Sequence, residues 1–201
     1  MLYFTSDLFF GDSKISKYRG FKSSDDMNSF IIDRWNSIVN DSDNVYILGG
    51  VGDFNYLKFL KGTKVLIFSD NENQFFHTYV ESISSNRDEM QDKELFESYV
   101  RNTYEIDRVI YSRRIICKLG GGTIVVLTSD IEHKRSSDFF NVSGSMGDTY
   151  KYFDDGYNVN IGINYMKPVS EDLISGLLKH NKIWFINMND VVFIMRHHFI
   201  L

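Results

Sequence analysis

The sequence is poor in residues that cross-link or stiffen a chain. It contains one cysteine, one proline and no alanine among 201 residues. A single cysteine excludes an intramolecular disulfide and is typical of proteins from reducing compartments. Cys117 lies in the apolar run "RRIICKL", which predicts a buried thiol. We therefore predict a cytoplasmic location.

The chain also lacks an excess of positive charge and any long apolar run. Its formal net charge of −5 excludes a basic protein that binds nucleic acid through phosphates, although a local basic patch stays open. Polar residues interrupt the apolar segment 182–201, which falls short of the roughly 20 apolar residues that a membrane span needs. The N-terminus has no secretory pattern. We expect neither a nucleic acid nor a membrane as partner.

Apolar and aromatic residues, by contrast, are plentiful: they make up 43% and 15% of the chain, enough to bury a core. Segments 1–6, 44–50 and 64–69 have the composition of strands. Between the first two, residues 23–41 place five apolar side chains on one helical stripe: Met27, Phe30, Ile31, Trp35 and Ile38. This order predicts parallel strands whose following loops gather at one edge of a sheet.

The second half of the chain has a different order of elements. Residues 71–104 predict helical or irregular structure, and "DRVIYS", "RRIICKL" and "GTIVVLTS" then follow at close spacing, which favours antiparallel hairpins. A helix capped by Ser170 and a terminal hairpin at 182–201 complete the chain. We predict one α/β domain over 1–201, with two packed mixed sheets, helices outside and the hairpin as an extension.

Seven stretches occur in an order that resembles one enzyme family. They read "YFTSDLFFGD", "DRWNSIV", "LGGV", "FSDNE", "LTSD", "NVSGSMGD" and "NVNIGINYMKPVS". The corresponding patterns in calcineurin-like metallophosphoesterases of the compact phage and bacterial type are "YFTSDxHFGH", "NWN", "LGDV", "GNHD", "HYP", "HGHxH" and "NVGxDxxNYKPVS". The resemblance spans nearly the whole chain and implies a four-layer α/β/β/α sandwich.

The resemblance also implies where a metal centre would lie. Enzymes of this family hold two divalent metals, bridged by one carboxylate, which generate a hydroxide and clamp a phosphoryl group. Asp7 matches the first aspartate of the motifs, but Phe9 stands in place of the following histidine. Gly50 stands in place of the bridging aspartate, so the family's dinuclear centre cannot form.

The later motifs have lost their ligands as well. Asp70 replaces an asparagine ligand, Asn71 replaces the catalytic histidine, and Glu72 stands at the acidic position. Asparagine cannot deliver a proton to a leaving group, and serine is a far weaker metal ligand than imidazole. Histidines of the last two histidine motifs are replaced by Ser129, Ser143, Ser145 and Gly147.

The resemblance therefore implies a degenerate family member, a pseudoenzyme that has neither a metal nor another cofactor. The matched positions are called the remnant pocket below, and we expect Phe9 to fill the space of the lost ligands. They are Asp7, Phe9, Gly50, Asp70, Asn71, Glu72, Ser129 and Ser145.

Two interpretations of the acidic residues near the strand ends stay open. They could form a remade pocket for one hard cation, or they could cap helices and solvate loops. Capping is favoured, because clustered carboxylates repel phosphate esters and no arginine stands at a position matched to a metal ligand. Asp53 could replace the missing bridge if its loop is rebuilt. The residues are Asp7, Asp12, Asp53, Asp70, Glu72 and Asp130.

Paired aromatic residues favour a contact surface. The pairs Phe9–Phe10, Phe75–Phe76 and Phe139–Phe140 exceed what one core needs, and aromatics are enriched at interface hot spots. Our leading hypothesis is a catalytically inactive protein of the metallophosphoesterase fold that binds another protein. The resemblance and an amino-acid usage typical of AT-rich genomes point to a phage or prophage protein that targets a host defence or regulatory protein in the host cytoplasm.

Two other functions are kept as alternatives. One is a residual phosphoesterase or nucleotide-binding protein that uses a single metal at Asp7, Asp70 and Glu72. The other is a self-assembling protein, in which an unpaired terminal strand forms a homo-oligomer.

Overall fold

The computed structural model describes residues 1–83, 87–129, 140–144, 148, 151–153 and 156–187. Their first sheet has the strand order β10-β1-β2-β3-β4, in which β10 is antiparallel to β1 and the other neighbours are parallel. The strands are β1 Leu2–Thr5, β2 Asn44–Leu48, β3 Thr63–Ile67, β4 Arg108–Ile110 and β10 Val169–Ser170. The predicted parallel start of the chain is confirmed.

The second sheet has the strand order β5-β6-β7-β9-β8. Its strands are β5 Arg114–Lys118, β6 Ile124–Thr128, β7 Phe140–Ser143, β8 Tyr152–Phe153 and β9 Gly156–Asn158. A 3₁₀ turn at Gly120–Gly122 joins β5 to β6, which confirms the hairpin expected there.

The expectation of a mostly antiparallel second half is wrong. β6 pairs with β7 and β7 with β9 in parallel, and β4 extends the parallel part of the first sheet. Parallel neighbours need a long connection in place of a tight turn. Close spacing along the sequence therefore predicted only one hairpin correctly.

The described residues form five α-helices beside the sheets: α1 Ser13–Tyr18, α2 Ser24–Asn36, α3 Asp70–Ser82, α4 Glu89–Tyr104 and α5 Glu171–Asn187, with a 3₁₀ helix at Phe54–Phe59. Ser23 caps α2 by accepting from the amide of Asp26 at 3.1 Å. The buried stripe of α2 centres on Ile31, and Phe30 is exposed because one residue turns a helix by about 100°.

Alternating side chains of the first sheet supply two apolar cores. Phe4, Leu48 and Ile67 join Val125 and Tyr157 of the second sheet in one cluster. Side chains on the opposite face pack against α2, α3 and α4: Tyr3, Ile47 and Phe68, with Trp35, Phe76 and Phe96 among their partners. The two mixed sheets therefore face each other, with helices on the outer face of the first sheet, as predicted for an α/β fold.

Cys117 lies in the cluster between the sheets and is free and buried, as predicted. Burial raises the pKa of its thiol, and the nearby Glu171 carboxylate adds to the effect. The thiol is therefore protonated at neutral pH and is a poor nucleophile.

The C-terminal prediction is partly wrong. Ser170 caps α5, since its hydroxyl accepts from the Leu173 amide at 3.3 Å, but the helix continues to Asn187 where the first hairpin strand was expected. A short apolar run does not by itself distinguish a buried strand from a helix. Residues 188–201 lie outside the described part of the chain. None of the described helices has the length and hydrophobicity to span a bilayer.

Candidate functional site

The C-terminal ends of four strands meet at the edge where the resemblance would place two metals. The backbone amide of Asp7 donates to Gly49 O at 3.1 Å, and that of Phe9 donates to Gly50 O at 2.9 Å, which joins the ends of β1 and β2. The hydroxyl of Ser129, after β6, donates to Phe68 O after β3. Main-chain hydrogen bonds thus close the strand ends against one another.

Gly50 brings the backbone of its loop into direct contact with Asp7. A Cβ at Gly50, whose φ is +71°, would lie 2.7 Å from the Asp7 Cα and 2.7 Å from Asp7 Oδ1. The neighbouring loops are equally close, because a Cβ at Gly144 would lie 2.5 Å from Leu48 O. The space that the bridging carboxylate would need is therefore filled by protein atoms.

Glu72 is fully engaged in holding the loop after β2. Its side chain is 1% exposed and accepts from the Val51 amide at 3.0 Å, the Ser69 amide at 3.2 Å and the Ser69 hydroxyl. With Ser69 it forms the capping box of α3. A carboxylate committed to three protein donors is not free to bind a metal.

The role of Glu72 can be tested by Glu72→Gln. The amide cannot accept from all three donors and places its own N–H₂ group among them, so we expect a loss of about 1–3 kcal/mol in the free energy of unfolding. Asp70→Asn, on the exposed start of the same helix, should cost about 0.5 kcal/mol or less. Urea titration followed by circular dichroism measures both. Equal losses of stability in the two variants would show that the hydrogen bonds of Glu72 contribute no more than those of an exposed side chain.

Other members of the remnant pocket lie away from the strand ends. Asp70 and Asn71 are exposed on the first turn of α3, where Asp70 pairs with Arg113. Ser145 lies outside the described residues. Asp7, Glu72 and Ser129 are therefore buried at the strand ends, whereas Asp70 and Asn71 face solvent.

The capping interpretation is confirmed for three of the acidic residues. Asp12 caps α1 by accepting from the amides of Lys14 and Ile15 at 2.7 and 2.9 Å. Asp53 is exposed and accepts from the Asn55 amide at 2.9 Å, so it does not replace the missing bridge. Glu72 completes a capping box as described above, and Asp130 lies outside the described residues.

The residues present do not fit the metal centre that the resemblance implies. Within the ranges given above, no three His, Cys, Asp or Glu side chains are arranged to hold a metal ion. The single-metal alternative fails the same test, because Asp70 is exposed while Glu72 is buried and committed to three donors. No chemical step is therefore derived through a metal.

Arg19 is the residue of this site that the sequence motifs missed. Its side chain is 3% exposed and donates to Asp148 through Nε at 3.0 Å, to Asp7 O at 2.9 Å and to Asn160 Oδ1 at 3.2 Å. The guanidinium carbon lies 5.6 Å from the ring centroid of Phe9. Phe9 is half-buried and packs on this cation. That it fills the space of lost ligands stays a prediction.

A signal for this arrangement was present in the sequence. The family pattern "NVGxDxxN" has an aspartate where this chain has Gly162, and a glycine where it has Asn160. A Cβ at Gly162 would lie 2.6 Å from Asp148 Oδ1. The Asp148 carboxylate therefore occupies the place that a side chain at position 162 would take.

The predicted aromatic surface lies elsewhere. Phe10 and Phe76 are buried in the core beneath the helices, while Phe9 and Phe75 are half-buried. Phe139 lies outside the described residues. Phe140 is half-buried. Among the side chains that the structure describes, the exposed aromatic ones are Tyr18, Phe30, Phe59, Tyr152 and Tyr165.

Comparison with known proteins supports the fold and adds nothing about activity. No protein-family model matches the chain, and no curated protein does. A solved structure, that of the Aquifex aeolicus protein of unknown function AQ665, is similar, with a TM-score of 0.56 and 17% identity over 88% of this chain and 98% of that one. At this identity the likeness concerns the fold alone.

Proposed function

We propose that the protein is a non-catalytic member of the metallophosphoesterase fold that acts by binding another protein. In this proposal the two sheets and their helices are the core of the four-layer α/β/β/α sandwich. The observation that supports it best is the contact between Gly50 and Asp7, which fills the position of the bridging metal ligand.

The remaining polar groups of the site support the same conclusion. Hydrolysis of a phosphate ester in this family depends on a metal-activated water, and such a metal needs free carboxylates or imidazoles. Here Glu72 accepts three protein hydrogen bonds, and the Ser129 hydroxyl donates to Phe68 O. Buried groups whose hydrogen bonds are all made to protein atoms hold loops together and have a structural role. The function then depends on surface residues.

Metal binding and hydrolysis test the proposal together. We expect titration calorimetry with Mn²⁺ to give no saturable heat, and bis-p-nitrophenyl phosphate to be hydrolysed no faster with the protein than with its Asp7→Asn variant. Asp7→Asn keeps the size of the side chain, and circular dichroism checks that the variant is folded. Saturable Mn²⁺ binding together with turnover that Asp7→Asn abolishes would overturn the proposal in favour of the one-metal phosphoesterase.

The binding half of the proposal has its own test. Affinity capture with the tagged protein, read by mass spectrometry, should recover one protein in stoichiometric amount. A stable homo-oligomer in light scattering, with no captured partner, would instead favour self-assembly. The phage or prophage origin and the host target stay predictions from composition and resemblance.

A further inference from the structure

A row of alternating aromatic and cationic side chains lies on the surface shared by α2 and the loop before β10. The rings of Phe21 and Phe30 are 5.6 Å apart, and the guanidinium carbon of Arg34 lies 5.9 Å from the Phe30 ring centroid. Arg34 Nε donates to Tyr165 O at 3.3 Å, and Lys151 Nζ lies 4.8 Å from the Tyr165 ring centroid. Phe30, Arg34, Tyr165 and Lys151 are called the aromatic–cation row below.

The two cations of the row have donors to spare. Among the residues that the structure describes, neither Arg34 nor Lys151 forms an ion pair. The hydrogen bond that Arg34 makes to Tyr165 uses Nε, which leaves the terminal amino groups for another acceptor. A guanidinium in this state suits a carboxylate, which it binds through two parallel hydrogen bonds.

The backbone presents Tyr165 in an unusual conformation. Tyr165 and Met166 have φ values of +58° and +57°, a left-handed region that residues other than glycine rarely adopt. Buried hydrogen bonds hold the loop: the Asn164 side-chain amide donates to Asn158 O at 2.9 Å and to Asn160 O at 2.7 Å. Strained residues held by such networks cluster at binding sites. Tyr165 is 73% exposed and Phe30 45%, so both rings are available.

We propose that the aromatic–cation row is a protein-binding surface, and that its occupant is a segment of a partner protein that carries carboxylates beside apolar or aromatic side chains. This inference rests on the proposed function and specifies its partner. Arg34 and Lys151 pair with the carboxylates, while the rings of Phe30 and Tyr165 pack against the apolar groups. Tyrosine and arginine, held rigidly and exposed, are the residues that dominate interface energies.

The charges around the row favour a protein segment over a nucleic acid. The exposed carboxylates of Asp26 and Asp33 lie on the same helix as Phe30 and Arg34. A phosphate backbone continuing past the row would meet these carboxylates, on a protein of net charge −5. A short segment can place its carboxylates at Arg34 and Lys151 and its uncharged side chains beside Asp26 and Asp33, which a continuous phosphate backbone cannot do.

The test uses ¹⁵N-labelled full-length protein and a defined probe, a short synthetic peptide in which Glu and Asp alternate with Tyr and Leu. We expect shifted amide signals at Phe30, Arg34, Lys151 and Tyr165, and an affinity about tenfold lower in Arg34→Gln and in Tyr165→Ala. Lys58→Gln and Phe59→Ala are matched controls, because Lys58 Nζ lies 5.4 Å from the exposed Phe59 ring in the 3₁₀ helix, outside the row. Their affinities should equal that of the wild type.

Each other outcome overturns the inference. Equal binding of a peptide with Lys for each acid would remove the charge argument, and losses of equal size in the control variants would show unspecific contact. Tighter binding of a thymidine oligonucleotide at the row would reassign it to nucleic acid, and no peptide binding at all would exclude an acidic segment. None of these results affects the Mn²⁺ and phosphodiester experiment, so failure of this surface is distinguishable from failure of the proposed function. A captured partner that still binds Arg34→Gln and Tyr165→Ala would separate the two in the same way.

Discussion

Gly50→Asp, which introduces the bridging aspartate of the metallophosphoesterase pattern, will prevent stable folding and will not create a metal site. The new Cβ would lie 2.7 Å from the Cα and Oδ1 of Asp7 and 2.9 Å from its amide nitrogen. Backbone atoms cannot move aside as the end of a flexible side chain can. The new carboxylate would also be placed against the Asp7 side chain, which is buried.

The expected loss in the free energy of unfolding is large compared with the total stability of a small protein. Left-handed backbone costs a residue with a Cβ about 1–2 kcal/mol, and forced overpacking adds about 1–3 kcal/mol. Burying a second carboxylate beside Asp7 adds to both. Because native domains are stable by only about 5–15 kcal/mol, we expect Gly50→Asp to be mostly unfolded or insoluble.

Gly20 provides a matched control for this variant. Its φ is +83°, yet a Cβ there would meet nothing within 4 Å. Gly20→Asp should therefore cost about 1–2 kcal/mol, the conformational cost alone. Thermal unfolding followed by circular dichroism compares the two, and Gly50→Ala separates crowding from charge. A folded Gly50→Asp protein that binds Mn²⁺ would contradict our description of the site.

The parts of the fold that were predictable depend on local patterns. The strands around 1–6, 44–50 and 64–69 alternate between two apolar cores, and the α2 stripe follows the helical period. Pairing between distant strands carries no such local signal, which is why the parallel pairs of β7 were missed. At the C-terminus, an apolar run read as a strand belongs to a helix, because composition alone does not set its period.

At the site, the motifs indicated which positions differ from the family pattern, and they gave no sign of the contact between Arg19 and Asp148. Gly50 and Glu72 lie where the resemblance placed them, since both follow strand ends of the parallel sheet. Arg19 and Asp148 are 129 positions apart, and no motif joined them. Their contact depends on tertiary packing that a single sequence does not reveal. Sequence matching therefore gave no indication of this network.

The second large effect concerns the hydrogen bonds of Arg19 with Asp148, Asp7 O and Asn160. Asp148→Ala should cost about 3–5 kcal/mol in the free energy of unfolding, because it leaves the Arg19 guanidinium buried without its carboxylate. The two side chains are 3% and 16% exposed, so water screens the pair weakly. Gly162→Asp alone should also be destabilising, since its Cβ would lie 2.6 Å from Asp148 Oδ1.

The double variant Asp148→Ala, Gly162→Asp should recover most of the loss. Removing the Asp148 carboxylate vacates the space at position 162, and the new aspartate returns a negative charge to Arg19. Gly162 is not among the residues with positive φ, so a Cβ there carries no conformational cost. Urea unfolding of the wild type, both single variants and the double variant forms a cycle, and we expect a coupling free energy of about 2 kcal/mol or more.

A neutral variant separates charge from volume. Asp148→Ala, Gly162→Asn fills the same space without a charge, so it should recover clearly less stability than the aspartate does. If the asparagine and aspartate variants recover the same stability, the side chain at position 162 acts only by filling space. If the losses of the two single variants simply add in the double variant, a carboxylate at position 162 does not substitute for that of Asp148. The predicted order, aspartate above asparagine above the single variant, follows only if Arg19 needs one carboxylate and accepts it from either position. In that case either position can supply the carboxylate that pairs with the arginine between α1 and the strand ends.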